Sequence, residues 1–357
     1  MIHVLIAAPS LDARRNVSGV SSVVKQIIGT LTGSVKFAHL QIGKEQQGSR
    51  ITRSFSSLLR TGRAFGILLF KHYDVFHSNT ALNRNSIIRD VALTAIAALR
   101  KKNVVLHLHG GTFIQEYPSF FLRCLVMQMF FQADTIVVLS NTERAHLVEL
   151  YPQYASKFRV IYNGVGITKS DERTYRNSGI LRVGFIGRLV EEKGVRILIE
   201  AMSSFDDADP ISFTIFGDGK LRTLVEGVAA TKINVNFGGV FAAAEINSIL
   251  AKLDLLVLPS LNGEGMPMVV VEAMAAGVAP LCTPISSIPE IIKEGVTGFL
   301  ITRGSVAALT QKLRDLSSNS IDIALVGRNC KKFAMEHFNA SQNYLALLDV
   351  YSNKPIG

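Results

Sequence analysis

Short β-branched, apolar runs alternate with longer stretches of helical periodicity along nearly the whole chain, the pattern of a parallel sheet built from βα units. Strand-like runs fall at residues 4–9, 35–42, 74–79, 104–109, 135–140 and 158–165, with helix-like stretches at 20–31, 53–71, 83–100, 120–132 and 141–150 between them. A second series opens at 181–186 and continues through 211–216, 233–237, 254–259 and 278–282, with a helix opening at 191–194, helical patterns at 243–250 and 266–277 and again towards residue 351. Residues 166–180, polar and without period, separate the two series and read as a linker. The fold class expected is therefore α/β with two Rossmann-like domains. Residues 1–165 form the first and 181–340 the second, and 341–357 form a last helix that can pack back on the first.

Composition narrows the class. The chain has 357 residues, 48% of them hydrophobic, enough for two cores. The most apolar run, 120–131, is too short to span a bilayer and is interrupted by Arg123 and Gln128. The N-terminus lacks the basic start of a signal peptide and reads as a first strand. Cys124, Cys282 and Cys330 have no paired or metal-ligand spacing, which suits a reducing cytoplasm. Charge is uneven: residues 1–165 carry 19 Lys and Arg against 8 Asp and Glu, the remainder 19 against 20. A basic first half points to an anionic membrane surface, an acidic acceptor or nucleic acid, and no helix-turn-helix, zinc-finger or RNP-type pattern supports the last. An oxidoreductase is disfavoured too, because no G-x-G-x-x-G follows the first strand.

The candidate chemistry gathers at strand ends. Residues 260–277, S-L-N-G-E-G-M-P-M-V-V-V-E-A-M-A-A-G, run from the end of an apolar strand through a Gly-rich loop into a helix. The amides near Met268 and Val269 at that helix start can hold a phosphate. Glu264 in the loop and Glu272 in the helix suit sugar or ribose hydroxyls, or are two solvated glutamates on an ordinary loop and helix. Arg188 and Lys193 flank the turn after 181–186, where two cations can neutralise a diphosphate. His109 ends a strand before Gly110-Gly111 and either faces a substrate or is structural. Gly19 stands at the first strand-to-helix turn, where backbone can approach a phosphate or simply turn. Phe55, Leu58, Leu59, Phe65 and Leu69 recur at helical spacing, with Arg53, Arg60 and Lys71 roughly opposite. That face can lie on an anionic bilayer or on the protein core. Asp207-Ala-Asp209 looks like a metal-binding D-x-D but follows a helix, where a solvated loop is expected.

Taken in order, G-R-L-V-E-E-K-G (187–194), F-G-D-G (216–219), D-L-L-V-L-P-S (254–260), E-G-M-P-M-V-V-V-E-A-M-A-A-G (264–277), I-P-E (288–290) and G-V-T-G-F-L (295–300) resemble the retaining, GT-B-fold glycosyltransferases of family 4, also called glycosyl transferases group 1. The first half is similar more loosely, through Ser18-Gly19-Val20, His109-Gly110-Gly111, Leu139-Ser140 and 160–165. The resemblance implies a GT-B architecture, two Rossmann-like domains with parallel sheets facing across a central cleft, the first for the acceptor and the second for a nucleotide sugar.

It also implies roles. Arg188 and Lys193 would hold the donor diphosphate and its developing charge, Glu264 the transferred sugar and Glu272 the ribose hydroxyls. Gly19 would leave room for the diphosphate, His109 would sit by the sugar, and Val240 would lie where the base is held. Gly187, Gly217, Gly265, Met266, Met268 and Val269 would complete the donor site. No cofactor and no metal are expected, and the front-face mechanism described for the family needs no carboxylate nucleophile. The implied activity is transfer of a hexose from a UDP- or GDP-linked donor to a lipid-linked or polysaccharide acceptor. It would take place on the inner face of the cytoplasmic membrane, in bacterial lipopolysaccharide or exopolysaccharide synthesis. Tyr162 and Gly166 depart from the family's usual Pro and acidic residue, and Met266 and Met268 replace commoner aromatic or Leu residues, so sugar selectivity does not carry over. The alternatives are another GT-B reaction, phosphorolysis or epimerisation, and a catalytically silent subunit that binds lipid or a partner enzyme.

Overall fold

The structure is a computed structural model and describes residues 1–12, 19–43, 50–111, 118–166, 179–262, 264–318 and 321–352, the side chains of 50–58 excepted. The chain divides into two compact units, Met1–Gly166 with Asn339–Gly357, and Ile167–Phe338. Most of the expected linker, with Arg14, Arg15 and Ser18, lies outside the described residues.

The first unit runs β1 (Ile2–Ala8), α1 (Gly19–Leu31), β2 (Val35–Gln41), α2 (Arg50–Phe70), β3 (Val75–Thr80), α3 (Arg84–Leu99), β4 (Asn103–Leu108), α4 (Phe120–Gln132), β5 (Thr135–Val138), α5 (Asn141–Leu150) and β6 (Phe158–Val160). Its strands form a parallel sheet in the order β2-β1-β3-β4-β5-β6. The first strand lies inside the sheet, so the chain leaves β1 for one edge and returns past it to β3. The loops diverge there, at the switch point where open α/β sheets bind ligands. Phe76, Val104, Leu106 and Leu108 face one side and join the core formed with α2, α3 and α4. His77, Asn79, Asn103 and His107 alternate with them and take the other side, as the two-residue period of a strand requires.

The second unit runs β7 (Leu181–Ile186), α6 (Val195–Ser203), β8 (Ile211–Phe216), α7 (Arg222–Thr231), β9 (Val235–Gly239), α8 (Ile246–Leu250), β10 (Leu255–Leu258), α9 (Met268–Ala275), β11 (Ala279–Cys282), α10 (Ile288–Ile291), β12 (Phe299–Leu300), α11 (Val306–Ser317) and α12 (Ile323–His337). The parallel order β12-β11-β10-β7-β8-β9 repeats the logic of the first sheet, with β7 at the switch point between β10 and β8. The two sheets, each six-stranded among the described residues and flanked by helices, are those expected of two Rossmann-like domains. Strands such as β5, β10 and β11 are buried along their whole length, which is why they read as unbroken apolar runs.

After Phe338 the chain returns to the first unit as α13 (Ala340–Asn343) and α14 (Ala346–Ser352). Ala340 N donates to Val165 O at 3.1 Å, and Gly164 N donates to the Tyr344 hydroxyl at 3.0 Å. α14 then covers the polar side of the sheet. Asn103 Nδ2 donates to Val350 O at 2.9 Å, and Tyr351 OH lies 2.7 Å from His77 Nδ1.

Local differences from the sequence reading have physical reasons. Glu191–Lys193 is a separate 3-10 turn, and α6 starts only at Val195, because Gly194 is left-handed at φ +69° and breaks the helix. The pattern at 243–250 splits into a 3-10 turn and α8, and α9 is two residues shorter at each end than 266–277. Among the described side chains of α2 the buried ones are Ala64 and Leu68, with Phe65 part-buried, whereas Leu59 is 60% and Leu69 47% exposed. The expected stripe thus does not form one core face; the side chains of Arg53, Phe55 and Leu58 lie outside the described residues.

Replacing Tyr351 with Phe leaves the buried His77 Nδ1 without this partner, a loss of about 1–3 kcal/mol. The melting temperature of the unit should fall by roughly 2–4 °C per kcal/mol, which scanning calorimetry measures. An unchanged transition would show that α14 docks without help from this contact.

Candidate functional site

In the second unit the loops after β7, β8, β9 and β10 are joined to one another. Gly187 N donates to Phe216 O at 3.1 Å, Leu189 N to Asp218 O at 2.8 Å, and Gly217 N to Gly239 O at 2.9 Å. Gly217, at φ +143°, has no room for a side chain: a Cβ there would lie 1.8 Å from Gly187 O. Across the switch point Leu261 N donates to Glu192 O at 2.8 Å. Gly194 approaches β10 so closely that a Cβ would meet Pro259 O at 1.9 Å. This close backbone contact brings the next side chains together.

Lys193 Nζ donates to Glu264 Oε1, and Ser260 Oγ donates to the same oxygen at 2.7 Å. The carboxylate is 6% exposed and the lysine side chain 16%. A carboxyl group this deep needs a cation and donors to offset its burial, and it has both. The sequence reading assigned Lys193 to a diphosphate and Glu264 to a sugar; the fold places the two on each other. Arg188, by contrast, is exposed and has no ion pair among the described residues.

Gly265 and Met266 are buried behind Glu264, and Pro267 leads into α9. The amides of Met268 and Val269, the first of the helix, have no intrahelical acceptor. Glu272 lies one turn further on and is part-buried, and burial pushes its carboxyl up to about 7. Val240, 58% exposed, follows β9 at the opposite side of the switch point from β10. Arg188, Lys193, Glu264, Gly187, Gly217, Val240 and the α9 start therefore all belong to the C-terminal end of one sheet. Asp207 and Asp209 do not: both are exposed in the turn before β8, and Asp209 Oδ2 accepts from Asp206 N at 2.7 Å.

In the first unit Gly19 is the first residue of α1. His109 follows β4, part-buried, with its Nε2 2.8 Å from Asn79 Oδ1. Asn79 Nδ2 donates to Ala7 O at 3.1 Å, which orients the amide and requires His109 Nε2 to carry the proton. The His109 ring stacks on His107 at 4.2 Å, and His107 Nδ1 is 3.3 Å from His77 Nε2. Burial lowers His77 and His109 to about 3 and His107 well below the ordinary range, so all three are neutral near pH 7. Among the described residues no group of three or more His, Cys, Asp or Glu is placed to hold a metal ion. The sequence reading singled out His109 but not Asn79, His77 or Tyr351. The signal was available in part, since H-S-N-T at 77–80 is a polar run inside a strand that the βα rhythm makes internal.

Residues 32–169 match the model of glycosyltransferase family 4, and residues 181–319 that of glycosyl transferases group 1. An uncharacterized glycosyltransferase of Methanocaldococcus jannaschii is 28% identical over 268 residues, 73% of this chain and 70% of that protein. An amylovoran biosynthesis glycosyltransferase of Erwinia amylovora is 30% identical over 179 residues, 48% of this chain and 44% of that protein. Among solved structures, Anabaena HepE in complex with UDP and glucose aligns with 99% of this chain and 100% of its own at a TM-score of 0.75; at 18% identity the likeness is one of fold.

Removing the ammonium tests the buried pair. Lys193→Met should destabilise the second unit by about 3–5 kcal/mol, because the Glu264 carboxylate loses its cation. Lys193→Met with Glu264→Leu should recover much of that loss in urea denaturation. A double variant that loses as much as Lys193→Met or more would show that the stranded carboxylate is not the source of the loss.

Proposed function

Since this chain is a glycosyltransferase of the GT-B fold, with a family 4 domain and a glycosyl transferases group 1 domain, we propose that it moves a hexose from a UDP- or GDP-linked donor to a lipid-linked or polysaccharide acceptor, with retention and without a metal. The observation that carries the donor assignment is the convergence of Arg188, Lys193, Glu264 and the α9 amides on one switch point. In this reading the diphosphate lies at the α9 start. Arg188 is its exposed cation, and Lys193, which has three N–H donors and uses one on Glu264, gives another to a phosphate oxygen. Glu264 offers its remaining acceptor capacity to sugar hydroxyls, Glu272 accepts from the ribose, and Val240 borders the base. In the first unit His109, fixed with its proton on Nε2, keeps Nδ1 as an acceptor for a hydroxyl.

The chemistry follows from where charge develops. The bond from the anomeric carbon to the diphosphate oxygen breaks, and the bond to the acceptor oxygen forms on the same face. The acceptor proton passes to the departing phosphate. Arg188, Lys193 and the α9 amides stabilise the negative charge that builds there, a preorganised electrostatic task. Retention results because attack and departure share one face.

The acceptor half of the reading rests on surface chemistry. Phe70, Leu59 and Leu69 are exposed on α2 near Arg63 and Lys71, and Phe120 and Phe121 are exposed at the start of α4. Apolar side chains among cations suit the boundary of an anionic bilayer. We place the enzyme at the inner face of the cytoplasmic membrane, in surface-polysaccharide synthesis such as that of the Erwinia relative. No described helix is long and apolar enough to cross a membrane, so the association proposed is peripheral.

Calorimetric titration with UDP, UDP-glucose, GDP and GDP-mannose in excess EDTA tests the donor site. One nucleotide series should bind regardless of EDTA, and Arg188→Ala should weaken it roughly tenfold or more, the worth of a charged hydrogen bond. Absence of binding to every member would favour the silent-subunit alternative.

The Glu272 carboxyl supplies a pH dependence. Its folded value of about 7 lies above the ordinary 4.5. The stability it contributes is complete below the ordinary value and is lost as pH rises through about 7. Ribose hydroxyls donate to the charged form, so nucleotide affinity should rise with pH through about 7 and then level off. Glu272→Gln should flatten this profile, and an unaltered profile in the variant would remove Glu272 from the ribose site.

Membrane association has its own test. The protein should co-sediment with phosphatidylglycerol-containing vesicles at low salt, and Leu69→Ser with Phe70→Ser should release it. Equal retention of the variant would place the contact elsewhere.

A further inference from the structure

The loop that presents Glu264 is held from behind by a second loop. Three hydroxyls after β11 donate to three carbonyls after β10. Thr283 Oγ1 donates to Ser260 O at 2.5 Å, Ser286 Oγ to Glu264 O at 2.6 Å and Ser287 Oγ to Gly265 O at 2.8 Å. Thr283 and Ser287 are essentially inaccessible. Each bond satisfies a loop carbonyl that has no place in the sheet ladder, and together they fix the backbone on both sides of the Glu264 side chain.

Ser286 is unusual in a second respect. Its φ is +52°, and Lys101 is the other non-glycine residue at positive φ among the described residues. The left-handed region brings a Cβ against its own carbonyl, which glycine avoids. Glycine at this position would relieve the backbone but has no hydroxyl to hold Glu264 O. A residue kept in an unfavourable backbone conformation beside a candidate site marks a constraint that the rest of the structure enforces.

We infer that Ser286 is a positioning residue for Glu264: its hydroxyl sets the height of the Glu264 backbone, so that the carboxylate shared by Lys193 and Ser260 meets a hexose hydroxyl of the donor. Two groups hold the carboxylate and three hydroxyls hold its loop, leaving the acceptor oxygen little freedom. Hydrogen bonding to a hydroxyl depends steeply on distance and angle, so small displacements of this loop weaken sugar contacts before they weaken nucleotide contacts. The inference rests on the reading of Glu264 as a ligand of the transferred sugar.

The test compares stability with the affinity gained from the sugar. Ser286→Gly, Ser286→Ala and Glu264→Gln are melted and titrated with a nucleoside diphosphate and its sugar conjugate, UDP with UDP-glucose or GDP with GDP-mannose, whichever series the chain binds. Ser286→Gly should melt no lower than the parent, because relief of the backbone offsets the lost bond. It should nevertheless lose roughly three- to tenfold in affinity for the sugar conjugate while its affinity for the bare diphosphate stays the same. Ser286→Ala, which keeps the strain and loses the bond, should melt lower and show the same loss. Glu264→Gln should lose at least as much.

If Ser286→Gly keeps the parent's ratio of the two affinities while Glu264→Gln loses it, the inference fails and the reading of Glu264 stands. If Ser286→Gly loses the ratio but melts as low as Ser286→Ala, the effect is general loosening and the inference fails. If Glu264→Gln keeps the ratio, or the parent binds the sugar conjugate no better than the diphosphate, the reading of Glu264 fails and takes the inference with it.

Discussion

Lys193 and Glu264 meet in a place where the sheet alone would leave a gap. β7 and β10 are neighbours, but the chain leaves them toward opposite sides, and their loops diverge at the switch point. The divergence is bridged by a left-handed Gly194 against Pro259, by Leu261 bonded to Glu192, and by the ion pair. A buried carboxylate without its cation is costly, so the pair constrains both loops at once. With these loops held, Arg188 is left outermost and the first amides of α9 have acceptors still to find. The proposed site for a charged, hydroxyl-rich ligand rests on that arrangement.

The first unit solves a different problem. Its sheet buries one apolar face under α2, α3 and α4 and carries His77, Asn79, Asn103 and His107 on the other. Polar side chains in such a place need partners, and the returning segment supplies two of them through Tyr351 and the carbonyls of α14. The same face orients His109: Ala7 fixes Asn79, and Asn79 fixes the proton on His109 Nε2. Docking of the C-terminal segment and presentation of His109 therefore depend on neighbouring side chains of one buried layer.

Most of the architecture was legible because parallel strands buried on both faces leave a simple trace. β5, β10 and β11 are short apolar runs between helical periods, and glycines and polar residues mark the strand ends where ligands bind. Lys193 and Glu264 were both recognised, yet as ligands of separate groups. Their contact spans 71 residues and depends on how two loops cross a switch point, which no local pattern records. Tyr351 and His77 are 274 residues apart and were missed for the same reason. On α2 the stripe left a bilayer face and a core face open; among the described side chains Ala64 and Leu68 are the buried ones while Leu59 and Leu69 are exposed, and a small alanine weighs little in a pattern of large apolar residues. Ser286 carried no sequence signal, because a left-handed φ at serine is set by the loop around it.

Hydrogen–deuterium exchange on the intact chain, with and without saturating UDP or GDP, locates the donor most directly. Slowed exchange at the α9 start around Met268 and Val269, together with the turn from Gly187 to Gly194, is the result expected if the diphosphate lies at the switch point of the second unit. Bound nucleotide that leaves both segments unprotected and slows exchange elsewhere would contradict that placement.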